Sequence, residues 1–437
     1  MERPVVPVFL CIFFLFYSGK AAGSSTGESN PHRRSQTKGL CAQLIQPSGY
    51  PCFEHTVQTK DGYLLALQRV SSRTGDVKVQ PGPPVLLQHG LFMAGDAWFL
   101  NSMEQSLGFI LADQGFDVWV GNVRGTRWSH GHISLSEKDK EFWDWSWQEL
   151  ALYDLAEMIN YVNSITNSKI FFVGHSQGTI MALAAFTQSD IVEMVEAAAF
   201  LCPISYLGHI SAQFVLRMVG MHLDQMILAM GIHQLNFRSD MGVHLLDSLC
   251  DGHVDCNNLL TSITETNDSV KDQKAEQSRK DRSSKVLSLP SSDPLLAEGK
   301  NCCFNDSLVD FYLEYEPHPS SSKNLNHLFQ MIRKGTFAYY DYGMLGNLKR
   351  YGQSRPPAFD LAHIPNSLPL WIGYGGNDAL ADMTDLEQTL KELQSKPELL
   401  YLENYGHIDF ILSVKAKEDI YNNMTGFFRS WGKSSTY

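Results

Sequence analysis

Apolar and polar positions alternate through residues 55–70 around an Asp61-Gly62 pair. Two half-buried strands joined by a tight turn produce this pattern, so a β-hairpin is predicted here. Downstream the pattern changes. Residues 85–88, 116–120, 170–173 and 197–201 are short, almost continuous apolar runs, as expected of strands buried on both faces. A helical period separates the second and third of them: Leu152, Leu155, Ala156, Ile159 and Val162 recur on one face of residues 149–162. Strands alternating with helices predict an α/β fold with a mainly parallel central sheet and right-handed crossovers.

The alternation stops at about Pro203 and resumes only after Gly343, with a strand over 368–374, a helix over 383–393, a strand over 399–402 and a closing helix over 415–431. The core is therefore expected in two pieces, 24–202 and 344–437, around an inserted, mostly helical subdomain at 203–343. Within the insertion, residues 265–298 mix Lys, Arg, acids and Ser with almost no apolar periodicity, which predicts a solvated, disordered excursion.

Arg3, an apolar run over 5–16 and small residues through Ala21, Ala22 and Gly23 match a cleaved secretory signal over 1–23. The run falls short of the roughly 18 apolar residues that a membrane anchor wants, and no other stretch is apolar enough to span a bilayer. A secretory route, ending outside the cell or in an acidic lumen, is expected. In such an oxidising compartment disulfides are favoured over zinc at Cys250, His253 and Cys256, and 7 of the 8 cysteines remain after cleavage, an odd number that leaves at least one thiol free or paired externally. Cys41 and Cys52 flank a Pro- and Gly-containing loop that they could staple, and Cys202, in a predicted buried strand, is the candidate free thiol. The pairing of Cys250, Cys256, Cys302 and Cys303 stays open. Asn267, Asn305 and Asn423 head glycosylation sequons.

Composition narrows the class of function. The chain is 43% hydrophobic and 19% charged, with a formal net charge of −12. It can bury a large core, and its acidity argues against nucleic acid, because phosphate binding relies on an excess of Lys and Arg.

Gly174-His175-Ser176-Gln177-Gly178 lies between a predicted strand and a predicted helix, the setting of a nucleophile elbow. The strained turn leaves no room for side chains at its glycines and projects the serine hydroxyl into a cleft. A serine needs a base, normally His, oriented by a carboxylate, and in this architecture the chain order is Ser, acid, His. His407 is the last of the 15 histidines and follows a strand. Asp378 directly follows the preceding strand, where active sites of open α/β sheets gather. Asp382 and Asp385 compete with it but fall where helix caps occur. Asp409 reads as a surface acid, and His363 precedes the strand and reads as a surface histidine. His89-Gly90-Leu91-Phe92 follows another strand, so the backbone N–H groups of Leu91 and Gln177 are the candidate oxyanion hole.

With these residues in place, the chain resembles the acid lipase family, which includes gastric and lysosomal lipases and a plant branch of triacylglycerol lipases. The motifs that carry the resemblance are Ile45-Gln46-Pro47-Ser48-Gly49-Tyr50 with His55, Asp61-Gly62-Tyr63, Gln88-His89-Gly90-Leu91, Asn122-Val123-Arg124-Gly125, the Ser176 elbow, Gly375-Gly376-Asn377-Asp378 and Tyr405-Gly406-His407-Ile408-Asp409-Phe410. They are spread over nearly the whole mature chain and are closest in wording to the plant branch. The resemblance implies an α/β-hydrolase fold with a lid in the inserted cap. It also implies a Ser176, Asp378 and His407 triad acting on lipid esters at an interface, most simply triacylglycerol, with no metal or organic cofactor. Sterol esters, acyl transfer to another alcohol, and a catalytically dead lipid-binding relative are the alternatives. Phe214, Val215, Met218, Val219, Met221, Met226, Ile227 and Met230 suit either a lid surface or core packing. The excursion at 265–298 departs from the family pattern.

Overall fold

The computed structural model describes residues 39–73, 82–239 and 305–432. The expected leader over 1–23, the excursion over 265–298, Asn267, Cys250, Cys256, Cys302 and Cys303 lie outside the described residues.

Strands β1 (Cys52–Gln58) and β2 (Tyr63–Val70) form the predicted hairpin, in register from Cys52 opposite Val70 to Gln58 opposite Leu64. The connection holds four residues rather than two. The Gly62 N–H closes it onto the Thr59 carbonyl at 3.0 Å, and only Gly62, at φ +99°, takes the left-handed conformation. The other strands are β3 (Pro84–Gln88), β4 (Asp117–Gly121), the short β5 (Gly131–His132), β6 (Ile170–His175), β7 (Val195–Leu201), the two-residue β8 (Gln234–Leu235) and β9 (Ser320–Ser321), β10 (Leu370–Gly375) and β11 (Glu398–Leu402). The main sheet runs β1-β2-β4-β3-β6-β7-β10-β11 with β5 beside β2. From β4 to β11 every pairing along this order is parallel. Every residue of β3, β4 and β6 is buried, which is why these strands read as continuous apolar runs rather than as alternation. Phe116, like Leu368 and Pro369, is predicted as strand but precedes its strand. It packs into the core just before β4, its N–H turned back onto the Leu111 carbonyl.

The helix expected over 149–162 is longer. Trp147–Glu149, a π-helical stretch Leu150–Leu155 and Ala156–Thr166 follow without a break and form α1 (147–166). Its start is set by Ser146 and Glu149, whose side chains satisfy each other's backbone amides as a capping box. Helix α2 (Gln177–Ala185) follows β6 directly and is buried along its whole length.

Between β7 and β10 the described residues add no strand to the main sheet. They form α3 (Gln213–Gly220), α4 (Leu223–Ala229), the β8–β9 pair, α5 (Val309–Tyr315) and α6 (Ser322–Lys334). The Met-rich stripe divides here: Phe214, Val215, Val219 and Ile227 are buried, whereas Met221, Met226 and Met230 are exposed. The last core elements are α7 (Met383–Glu392), capped by the Asp382 side chain, and α8 (Asn422–Trp431). Cys41 is disulfide-bonded to Cys52, and Cys202 is a buried free thiol.

One ion-pair cluster ties the hairpin to the first long helix. Arg124, 1% exposed, pairs with Asp154 of α1 through Nη2 at 2.5 Å and with Asp61 of the hairpin turn through Nη1 at 2.5 Å. Its guanidinium stacks 3.8 Å over the Tyr63 ring, and its backbone N–H also donates to Asp154. Asp154 is fully buried, so removing its partner strands a charge. Arg124→Met is expected to lower stability by about 3–5 kcal/mol, read as a fall in the urea midpoint at unchanged slope.

Candidate active site

The chain leaves β6 at His175 and enters α2 at Gln177, so Ser176 alone makes the turn. It does so at φ 53°, ψ −120°, outside the regions a side chain normally favours. Its N–H is held by the Leu201 carbonyl of β7 at 3.1 Å, and its own carbonyl accepts the N–H and hydroxyl of Thr179. The strand-to-loop connection after β3 presses on this turn. A Cβ on Gly178 would stand 2.5 Å from the Gln88 carbonyl oxygen, and one on Gly90 would stand 3.0 Å from Ser176 Cβ. The loop after β3 is thus in contact with the elbow, bringing Leu91 and Gln177 to the same end of the sheet as Ser176. Leu91 is half-buried and Gln177 buried. Amides in the first turn of a helix have no partner within it, which leaves the start of α2 rich in donors.

Asp378 and His407 come together from the loops after β10 and β11. Those loops are bound to each other by backbone hydrogen bonds, Gly376 N–H to the Leu402 carbonyl at 2.9 Å and Asn377 N–H to the Tyr405 carbonyl at 3.1 Å. His407 Nδ1 lies 2.8 Å from Asp378 Oδ2, and both side chains are buried. The other Asp378 oxygen accepts the backbone N–H groups of Leu380 and Ala381 at 2.9 and 2.8 Å. Burial alone would raise the Asp378 carboxyl, but the imidazole of His407 and these two amides outweigh it and hold the group below the usual carboxylate range. An ionised acceptor at Nδ1 puts the imidazole proton there. Nε2 is left as a lone pair, and that atom is buried with no hydrogen-bond partner among the described residues.

The competing acids have other work. Asp382 caps α7 by accepting the Thr384 N–H. Asp385 is buried inside that helix and binds His209, both to its N–H and to Nδ1 at 2.7 Å, so it is not the cap expected of it. Asp409 is not a surface acid: it is fully buried, and its carboxylate accepts the Gly406 N–H at 2.7 Å, bracing the turn that carries His407. A buried acid beside a loop glycine looks in sequence like any polar turn residue, which is why its role was illegible. His363 is exposed near Asp360, as expected. Of the sequons, Asn305 spends its side-chain oxygen on Ser307, and Asn423 is exposed on α8, where its oxygen accepts the Trp371 indole N–H.

Three residues given no role in the site from the sequence complete it. His175, fully buried, donates through Nε2 to the His407 carbonyl at 2.9 Å, and burial pushes its imidazole down to about 3, so it is neutral. The Cys202 thiol reaches the same carbonyl at 3.5 Å from a residue held at φ 51°. Asn324 of α6, also fully buried, donates to the Gln177 side chain at 2.8 Å and so ties the inserted segment to the elbow. Only His175 carried a signal, its place inside the elbow motif.

Known proteins share this arrangement's sequence. A family model described as a partial alpha/beta-hydrolase lipase region matches residues 41–102, and one for the alpha/beta hydrolase fold matches residues 83–236. Triacylglycerol lipase 1 of Arabidopsis thaliana is 62% identical over 414 residues, 95% of this chain and 96% of that protein. Triacylglycerol lipase 2 of the same plant is 36% identical over 408 residues, 91% of this chain and 90% of that protein. Human lipase member N is 30% identical over 398 residues, 89% of this chain and 91% of that protein. With likeness of this extent running along nearly its whole length, the chain belongs to the acid lipase family, carboxylic ester hydrolases built on the α/β-hydrolase fold.

Proposed function

We propose that this protein is a lipase of the secretory route that hydrolyses fatty acyl esters, triacylglycerol foremost, through Ser176, His407 and Asp378. The observation that carries the reading is the polarised imidazole. His407 Nδ1 is committed to Asp378 at 2.8 Å, while Nε2 is buried without a hydrogen-bond partner among the described residues. The substrate class is supported by the two plant relatives named triacylglycerol lipases and by the acidic chain, which favours an uncharged ester.

In this mechanism Ser176 Oγ attacks the ester carbonyl carbon while His407 Nε2 takes the hydroxyl proton, and Asp378 stabilises the imidazolium. The carbonyl oxygen becomes an oxyanion that accepts the N–H groups of Leu91 and Gln177, which act on charge present only in the transition state. The C–O bond to the alcohol breaks as His407 returns the proton to the departing oxygen. Water then attacks the acyl-enzyme, gives its proton to His407, and the fatty acid leaves with Ser176 restored. The inserted segment at 203–343 acts as the cap over the acyl chain, with Phe92, which stacks edge-on against Phe237 at 5.0 Å, at its boundary with the core.

The purified protein is expected to release fatty acid from emulsified long-chain triacylglycerol and to be labelled by a fluorophosphonate. Ser176→Ala should lose both. Labelling without triacylglycerol hydrolysis would keep the activated serine and reject the substrate; hydrolysis by Ser176→Ala would reject the nucleophile.

Asp378→Asn should fold, because the amide still fills the site, yet lower kcat by about 10⁴-fold by favouring the wrong imidazole tautomer. Because burial is outweighed and the Asp378 carboxyl is held low, its contribution to stability is present above the ordinary carboxylate pKa and is lost as pH falls through the depressed value. The difference in Tm between parent and Asp378→Asn should therefore shrink on acidification, as a thermal melt series would show.

A further inference from the structure

Behind the loop that leaves β3 lies a buried acidic cluster that the reaction does not use. Asp96, fully buried, stands in the turn Gly95–Phe99; Glu316 and His318 come from the strap that leads out of α5. One side-chain oxygen or nitrogen of each lies within 4.8 Å of the others. The strap is bound to the loop by hydrogen bonds from the His318 N–H to the Phe92 carbonyl at 2.7 Å and from the Ala94 N–H to Glu316 Oε1 at 3.4 Å. The Arg127 N–H donates to His318 Nδ1 at 3.2 Å, so that nitrogen bears no proton. His318 Nε2–H then donates to Asp96 Oδ2 at 2.9 Å, beside the Trp128 indole N–H on the same oxygen at 2.9 Å.

Two oxygens remain. Asp96 Oδ1 and Glu316 Oε2 are both buried and neither accepts a hydrogen bond from the described residues; His318 Nε2, spent on Asp96 Oδ2, stands 3.8 Å from Glu316 Oε2. Two ionised carboxylates facing each other away from water are excluded by their mutual repulsion and by the cost of unpaired buried acceptors. One proton between them satisfies both atoms. The surrounding charges agree with a single negative charge. Arg127 Nη2 lies 3.4 Å from Asp96 Oδ2. Arg238 is spent on the backbone carbonyls of Leu313, Glu314 and Glu316. His89 is held neutral by burial, Tyr315 faces Asp96 as a phenol, and Glu314 lies next to it in the chain. Burial, then the neighbouring Asp96, push the Glu316 carboxyl well above its ordinary range; burial of Asp96 is outweighed by His318, Trp128 and Arg127, which hold it low.

We propose that Glu316 donates its carboxyl proton to Asp96 Oδ1, a clasp that positions the loop 90–96, and through it the Leu91 amide, and that opens when rising pH removes the proton. Glu316 and Asp96 are positioning residues in this account, which rests on the reading of Leu91 as an oxyanion donor. On opening, the proton leaves to solvent base, the second negative charge drives the strap from the loop, and the Ala94 and Phe92 hydrogen bonds loosen. Since the native state holds a proton that the unfolded chain has already lost above the ordinary carboxyl pKa, stability falls as pH rises from there.

The test is Glu316→Gln, whose amide is a permanent donor to Asp96 Oδ1. Tm, kcat and KM are measured from acid to alkaline pH for both proteins, with Ser176→Ala alongside. The parent should lose Tm and, through the displaced oxyanion amide, about 10-fold in kcat on the alkaline side with KM little changed. Glu316→Gln should hold both flat. Identical alkaline limbs in Tm overturn the clasp; a flattened Tm with an unchanged kcat limb overturns its positioning role. Activity in Ser176→Ala would sink the triad reading, whereas the Tm comparison does not depend on it. Should Glu316→Gln not fold, infrared detection of a protonated carboxyl in the parent at neutral pH decides: its presence, vanishing as pH rises, supports the clasp, and its absence overturns it.

Discussion

The geometry of the site depends on how closely the start of α2 approaches the carboxyl end of β3. The helix begins one residue after β6 ends, and at Gly178 its backbone lies so near the Gln88 carbonyl that a methyl group would stand 2.5 Å away. That approach forces the whole strand-to-helix reversal into one residue, and Ser176 absorbs it at φ 53°. Strain of this kind costs roughly 1–3 kcal/mol and persists only where the surroundings over-determine it. Here they do: the Leu201 carbonyl holds the Ser176 N–H, Thr179 holds its carbonyl, and α2 is buried along its length. The reward is a hydroxyl set at the head of a helix, beside the loop after β3.

Much of this was legible in the chain because the same constraint writes itself into residue types. Buried parallel strands need unbroken apolar runs, so the central strands were found within a residue or two, and the elbow needs its glycines. The order of strand ends, with Asp378 after β10 and His407 after β11, then picked out two side chains that the fold brings within 2.8 Å of each other. What was hidden depends on contacts between distant segments. Nothing local distinguishes Asp385, locked onto His209, from Asp382, which caps α7. Asp409 reads as a surface acid because its burial is decided by the fold around it, and the four-residue hairpin turn reads as a two-residue one because Asp61 serves Arg124.

Four aspartates show how environment assigns one side chain to different tasks. Asp154 shares a buried guanidinium with Asp61, Asp378 faces an imidazole and two amides, and Asp96 faces an imidazole, an indole and a carboxyl group. Asp154, Asp378 and Asp96 are buried, whereas Asp61 lies exposed at the hairpin turn, and burial by itself would neutralise the first three. Donors aimed at the carboxylate oppose burial with different results: Asp378, with three, is held below the usual range, whereas for Asp154 burial outweighs the Arg124 donors and raises the carboxyl to about 6. Glu316 has the single distant N–H of Ala94 and faces an anion, so neutrality is its cheaper state.

The described half of the inserted segment that follows residue 304 meets the core through directional contacts as well as through apolar ones such as Phe337 on Trp147. Asn324 reaches Gln177, the Ser321 hydroxyl the Trp143 carbonyl, Lys323 the Asp144 carboxylate and His327 the Ser146 hydroxyl, while His318 takes Asp96. Apolar surfaces attract without preferring one register and let packed elements slide, whereas a buried hydrogen bond is lost with a displacement of about 1 Å and leaves costly orphans. Residues 318–327 are therefore fixed to the elbow and to the loop after β3. Helices α3 and α4 pack through Phe214, Val215, Val219 and Ile227 and turn Met221, Met226 and Met230 outward, and the buried Asp224 of α4 accepts Arg333 and Asn326 of α6. Through Asp224 α4 is bound to α6, and through Asn324 α6 is bound to the elbow, so displacing α4 would break a buried ion pair or strain the contact with Gln177.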